Sequence, residues 1–123
     1  MIIGIGVDII EVARITRAVA KTHFLETVYT QQEQAYCQSR GAQCYQSYAA
    51  RFAAKEAVGK ALGCGVLPGD LLCIEVVKDT QGAAHVELSG TVAQRAAELG
   101  VQKIFLSLSH VQQYAVAQVV AEG

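Results

Sequence analysis

Met1 to Val7 is an apolar run interrupted by Gly4 and Gly6, the pattern of a buried strand whose glycines let another backbone come close. Asp8 follows it, and from Ile9 to Ala20 the residues Ile9, Val12, Ala13, Ile15, Thr16 and Val19 recur at helical spacing. With Glu11 three residues on, Asp8 is a candidate N-cap with a capping-box partner; it is equally a carboxylate at a strand end, where ligands bind. Thr30 and Glu33 form a second capping box, which opens a short helix through about Ser39 that Gly41 ends. A polar connector, Ala42 to Gln46, leads into the longest helix, expected from about Ser47 to Gly63. Beyond a loop containing Pro68, Gly69 and Asp70, Leu72 to Lys78 and Ala84 to Leu88 read as a hairpin around the turn Asp79 to Gly82. Gly90 to Leu99 predicts a short helix stopped by Gly100. Ile104 to Ser109 and Tyr114 to Val120 predict a second hairpin, with Leu106 and Leu108 alternating against Ser107 and Ser109 and His110 at the end of its first strand. No linker, repeat or low-complexity segment intervenes. The expectation is one compact α+β domain spanning residues 1–123, built of antiparallel strands and a long central helix.

The charges on that central helix, Arg51 to Gly63, are unevenly placed. It is alanine-rich, free of proline and closed by Gly63. With Arg51 at 0°, Lys55 falls at about 40°, Glu56 at about 140° and Lys60 at about 180°. An ordinary surface helix has one polar arc. This one carries charge on two sides, and both are expected to meet something other than bulk water. The plainest alternative is a helical ion pair between Glu56 and Lys60, four residues apart.

Composition narrows the function classes. At 123 residues and 52% hydrophobic, the chain is apolar for its size, which suggests a buried subunit interface. A net charge of −1 gives no basic footprint for nucleic acid or an anionic membrane. No apolar run reaches the roughly 18 residues of a membrane span, and the N-terminus shows no signal peptide, so a cytoplasmic protein is expected. Cys37, Cys44, Cys64 and Cys73 lie 7, 20 and 9 positions apart, a spacing that argues for reduced thiols and against a zinc site.

The residues with chemistry to offer are Asp8, Glu56, Lys60 and His110, with Arg51 nearby. Two carboxylates from separate elements suit Mg²⁺, which takes one or two carboxylates together with substrate phosphates and water. Lys60 would reach the same phosphates as a point charge, and Arg51 would offer a fork to another. Against this stand a capping role for Asp8, an ion pair for Glu56 and Lys60, and a turn histidine at His110.

Three segments resemble one family: Gly4-Ile5-Gly6-Val7-Asp8-Ile9-Ile10-Glu11-Val12-Ala13-Arg14-Ile15, the stretch Arg51 to Gly63, and Ser107-Leu108-Ser109-His110 with Tyr114-Ala115-Val116-Ala117. They look like the small holo-acyl-carrier-protein synthases, a group of 4′-phosphopantetheinyl transferases. Thr30, Glu33, Tyr36 and Cys37 match that family's short second helix, so the resemblance runs from Gly4 to about Val120. It implies the 4′-phosphopantetheinyl transferase fold. It also implies transfer of phosphopantetheine from coenzyme A to a serine of apo acyl carrier protein, leaving adenosine 3′,5′-bisphosphate, as in fatty acid biosynthesis. By the same resemblance Asp8 and Glu56 are the Mg²⁺ ligands, and Lys60 neutralises the pyrophosphate. Arg51 and His110 hold the adenosine phosphate end of coenzyme A, and Arg14 docks the acidic carrier protein. The serine proton goes to Glu56 through a water or to a metal-bound hydroxide. The assembly implied is a homotrimer with sites between subunits. Two features depart from the family: Ala83 and Ala84 follow Gly82 where a proline is usual, and the connector Gln43 to Gln46 is uncharged where it is often basic. They imply a weaker or differently built grip on the coenzyme's 3′-phosphate. The competing readings are a non-catalytic coenzyme A or carrier-protein binding module of the same fold, and a purely structural oligomer.

Overall fold

The computed structural model describes residues 1–123 as ten helices and strands, joined by turns and two short 3₁₀ segments. Strands β1 (Ile2–Glu11), β4 (Lys103–His110) and β5 (Tyr114–Glu122) form an antiparallel sheet in the order β1-β5-β4. Strands β2 (Ile74–Lys78) and β3 (Ala84–Leu88) form a separate hairpin. Helices α1 (Val12–Val19), α2 (Thr22–Val28) and α3 (Gln31–Gln38) lead to the long α4 (Cys44–Ala61), and α5 (Gly90–Glu98) lies between the two sheets in sequence. This is the α+β architecture that the pattern of periods predicts. No helix is long and apolar enough to cross a membrane.

Small side chains let α4 lie flat on the large sheet. Ala53, Ala54 and Ala57 of α4 and Ala115, Ala117 and Ala121 of β5 are all fully buried. The tightest approach is to β1. A methyl group on Gly4 would collide with the Ala61 carbonyl, and one on Gly6 with the Ala57 carbonyl. Two residues of strand advance about 6.6 Å and four of helix about 6 Å, so the two elements run antiparallel in matched steps. Strand alternation then puts Gly4, Gly6 and Asp8 toward the helix and Ile5, Val7 and Ile9 outward.

Several boundaries differ from the sequence expectation. β1 continues through Asp8 to Glu11, because Asp8 pairs with Ala117 and Glu11 with Tyr114 on β5. Asp8 is therefore not an N-cap. The helix begins at Val12 rather than Ile9, behind Glu11, whose side chain makes no capping bond. Helix α2, which the sequence reading leaves out, has no capping side chain and buries only Val28. α4 starts at Cys44, carried in by the 3₁₀ turn Gly41–Gln43, and Pro68–Cys73 is 3₁₀ so that β2 begins at Ile74. The Thr30–Glu33 capping box, the stop at Gly63 (φ +73°) and both hairpins stand as expected.

Candidate functional site

The glycine contacts set where Asp8 goes. Two residues beyond Gly6 on the same face of β1, it arrives over the turn of α4 that carries Glu56 and Lys60. The Lys60 ammonium donates to the Val7 carbonyl at 2.9 Å and to Asp8 Oδ1 at 3.2 Å. The helical ion pair weighed for Glu56 and Lys60 is therefore not the one formed; the lysine crosses to the strand, which leaves the Glu56 carboxylate unpaired with it. Glu56 is half-buried. Its pKa is raised, first by burial and then by the charge of Asp8, against the opposing pull of Lys60 and Arg14. Arg14, exposed on α1, thus stands close enough to be felt electrostatically.

This pair of carboxylates passes a simple test for a hard divalent cation. Both are oxygen donors from rigid elements, close enough for one charge to disfavour the other, and a cation between them would relieve that repulsion. No group of three or more metal-ligating side chains exists, so two carboxylates are what the chain itself can offer. The remaining positions would fall to phosphate and water oxygens.

Arg51 and His110 come together elsewhere. Both line a pocket of about 340 Å³ that lies between α4, the β2–β3 turn and β4, and neither Asp8, Glu56 nor Lys60 lines it. Arg51 is 3% exposed, its guanidinium stacked 4.1 Å from the centroid of the Tyr36 ring, and its Nε has no partner. An uncommitted N–H in a pocket wall is a donor available to a ligand. The residues singled out from the sequence therefore divide into two stations. Arg51 and His110 form one, and Asp8, Glu56, Lys60 and Arg14 the other, on sides of α4 separated by about 140–180°.

Sequence reasoning passes over Lys55. Its ammonium is fully buried and donates to Glu33 Oε1, Leu71 O and Ile74 O at 2.9, 2.9 and 2.6 Å. Glu33 Oε2 accepts from Val76 N at 2.9 Å, so one ion pair joins α3, α4 and β2 around the Arg51 pocket. Glu33 was visible as a capping residue, which hides this second role; an ionic residue on the alanine-rich side of a helix was the available signal. Tyr36 and Lys78, both in the pocket wall, were likewise not singled out for chemistry.

Comparison with known proteins agrees on one relationship. The 4′-phosphopantetheinyl transferase superfamily matches residues 4–119. The holo-[acyl-carrier-protein] synthase of Ruminiclostridium cellulolyticum is 50% identical over 119 residues, 94% of this chain and 89% of that protein. The crystal structure of the Neisseria meningitidis holo-[acyl-carrier-protein] synthase superposes with a TM-score of 0.88 at 31% identity, covering 100% of both chains. A Bacillus anthracis holo-(acyl-carrier-protein) synthase in complex with CoA (3′,5′-ADP) superposes with a TM-score of 0.80 at 36% identity, covering 98% of this chain and 96% of that one.

Proposed function

Since the chain belongs to the 4′-phosphopantetheinyl transferase superfamily and is a phosphopantetheinyl transferase, we propose that it transfers 4′-phosphopantetheine from coenzyme A to a serine hydroxyl of apo acyl carrier protein, with Mg²⁺, in the cytoplasm. The observation that carries this reading is the Asp8–Lys60–Glu56 station, two carboxylates and a mobile ammonium held by a glycine-packed strand on a helix. Asp8 and Glu56 hold the metal, which when bound screens the negative charge of the pyrophosphate. Lys60 is half-exposed and moves from the Val7 carbonyl to a pyrophosphate oxygen, where charge grows as the bond to the leaving group breaks. The serine oxygen forms the new bond to phosphorus, and adenosine 3′,5′-bisphosphate departs. Arg51 and His110 bind the adenosine phosphate end, and Arg14 meets the acidic surface of the carrier protein beside the reacting serine.

The same reading includes a homotrimer with sites between subunits. Only 29 of 123 residues are buried, and the apolar surplus gathers on the outer face of the large sheet. There Ile5 pairs with Val120 and Phe105, and Ile9 with Val116, in rows across three strands. Ile5, Val7 and Ile9 are 66%, 56% and 66% exposed, an apolar face that another copy would cover. One coenzyme cannot wrap a helix to touch both of its sides, whereas the pocket of one subunit beside the carboxylates of the next would take it from end to end.

The test is intact-mass spectrometry of apo acyl carrier protein incubated with this protein, coenzyme A and Mg²⁺. A gain of one phosphopantetheine, abolished by EDTA and by Asp8→Asn or Glu56→Gln, is the expected result. No gain with several carrier proteins would overturn the proposal.

A further inference from the structure

Tyr36 sits at the centre of a group of positive charges. Besides the Arg51 guanidinium at 4.1 Å from its ring centroid, the Lys78 ammonium lies at 5.5 Å and the Arg40 guanidinium at 5.8 Å. The three cations come from different places: α4, the end of β2 and the turn after α3. All three, with His110, line the same pocket, and none of its 13 lining residues is acidic. In a chain of net charge −1, that concentration is not a by-product of overall basicity.

The cations also lack anionic partners. The ion pairs of the chain are Lys55–Glu33, Lys60–Asp8 and His85–Glu87, and none involves Arg40, Arg51 or Lys78. Arg51 spends one weak bond on Ser47 O at 3.5 Å and leaves Nε free; Arg40 donates one N–H to Gln43 Oε1 at 3.0 Å. A carboxylate here would neutralise the charges and consume their donors. An aromatic face does neither: it attracts each cation through its quadrupole and leaves the N–H groups pointing outward. Like charges gathered this way are unfavourable until an anion enters, and a phosphomonoester dianion, with its three acceptor oxygens, is the ligand that answers several donors at once.

We propose that Tyr36, Arg40 and Lys78 complete, with Arg51, a phosphomonoester subsite that makes this enzyme select coenzyme A over its 3′-dephospho form. The inference rests on the coenzyme reading of the pocket and adds to it the residues that set the preference. Lys78 supplies a point charge from the strand end and Arg40 a second guanidinium, while the ring of Tyr36 holds Arg51 in register.

Steady-state transfer is measured with coenzyme A and with 3′-dephospho-coenzyme A for wild type, Lys78→Met, Arg40→Met, Tyr36→Phe and Tyr36→Leu. The ratio of kcat/KM for the two coenzymes falls about tenfold in Lys78→Met and Arg40→Met, the size of one lost charge-assisted phosphate contact. Tyr36→Phe keeps the ratio because it keeps the ring, and Tyr36→Leu loses it. An unchanged ratio in the two methionine variants, or an equal loss for both coenzymes, overturns the inference. Calorimetric binding of adenosine 3′,5′-bisphosphate against adenosine 5′-monophosphate reads the same preference without any carrier protein. Were the wild type to transfer nothing, the transferase reading would fall while this binding ratio still decided the role of Lys78.

Discussion

Lys55 and Glu56 are consecutive residues with opposite surroundings, and a 100° turn of helix accounts for the difference. Burial pulls the Lys55 ammonium's pKa down while the charge and hydrogen bond of Glu33 hold it up; three acceptors at 2.6–2.9 Å suit the charged form. Truncating the lysine leaves a buried carboxylate without its cation, so Lys55→Met should cost about 3–5 kcal/mol in urea unfolding. Adding Glu33→Gln to it should then cost less than the sum of the two single changes. Cys37 shows the same control by burial. The apolar surroundings push its thiol from 9.0 up to about 12, with Arg51 opposing. Folded protein then keeps a proton that the unfolded chain loses, so this contribution to stability is intact below pH 9 and fades as pH rises toward 12. Thermal unfolding across that window should fall less steeply in Cys37→Ala than in wild type, and thiol reagents should reach exposed Cys64 well before Cys37. At this scale the sequence shows the chemical types. Asp8, Glu56, Lys60, Arg51 and His110 stand out as residues with work to do, and the family resemblance puts them in order. What it conceals is partnership: Lys60 meets Asp8 from 52 residues away instead of Glu56 one turn behind it.

Among the elements, the contact between β1 and α4 decides most. Apolar alternation and two glycines foretell a strand that another backbone approaches, and Gly4 and Gly6 are where α4 lies closest. The end of that strand is not legible. A local capping box competes there with a ladder to β5 far along the chain, and the ladder wins through Glu11 and Tyr114. Helix α2 was hidden for a related reason: with one fully buried residue and no cap it has little local signal and is held by neighbours. Gly6→Ala tests the contact. Its methyl would have to displace the Ala57 carbonyl, so we expect a loss of about 3 kcal/mol in chemical denaturation. Turnover should drop further than the folded fraction explains, because Asp8 follows the strand.

For the molecule as a whole, the two stations and the bare sheet face belong together. Neither was visible from spacing alone, since strand order and the facing of Ile5, Val7 and Ile9 depend on which side of the sheet α4 covers. A mixed assembly offers a direct test. Arg51→Ala protein lacks the pocket donor and Glu56→Gln lacks a carboxylate; each alone should be nearly inactive. Unfolded together and refolded as a mixture, they should regain a clear fraction of activity from interfaces that join the intact pocket of one to the intact carboxylates of the other. Activity no higher than the average of the separate variants, or a monomeric mass at full activity, would contradict sites shared between subunits. The placement of the stations on opposite sides of one helix also bears on how the cell meters the enzyme. Output per polypeptide depends on how many neighbours each finds, so halving expression lowers flux by more than half once subunits become scarce, and abundance itself acts as a control on carrier-protein activation.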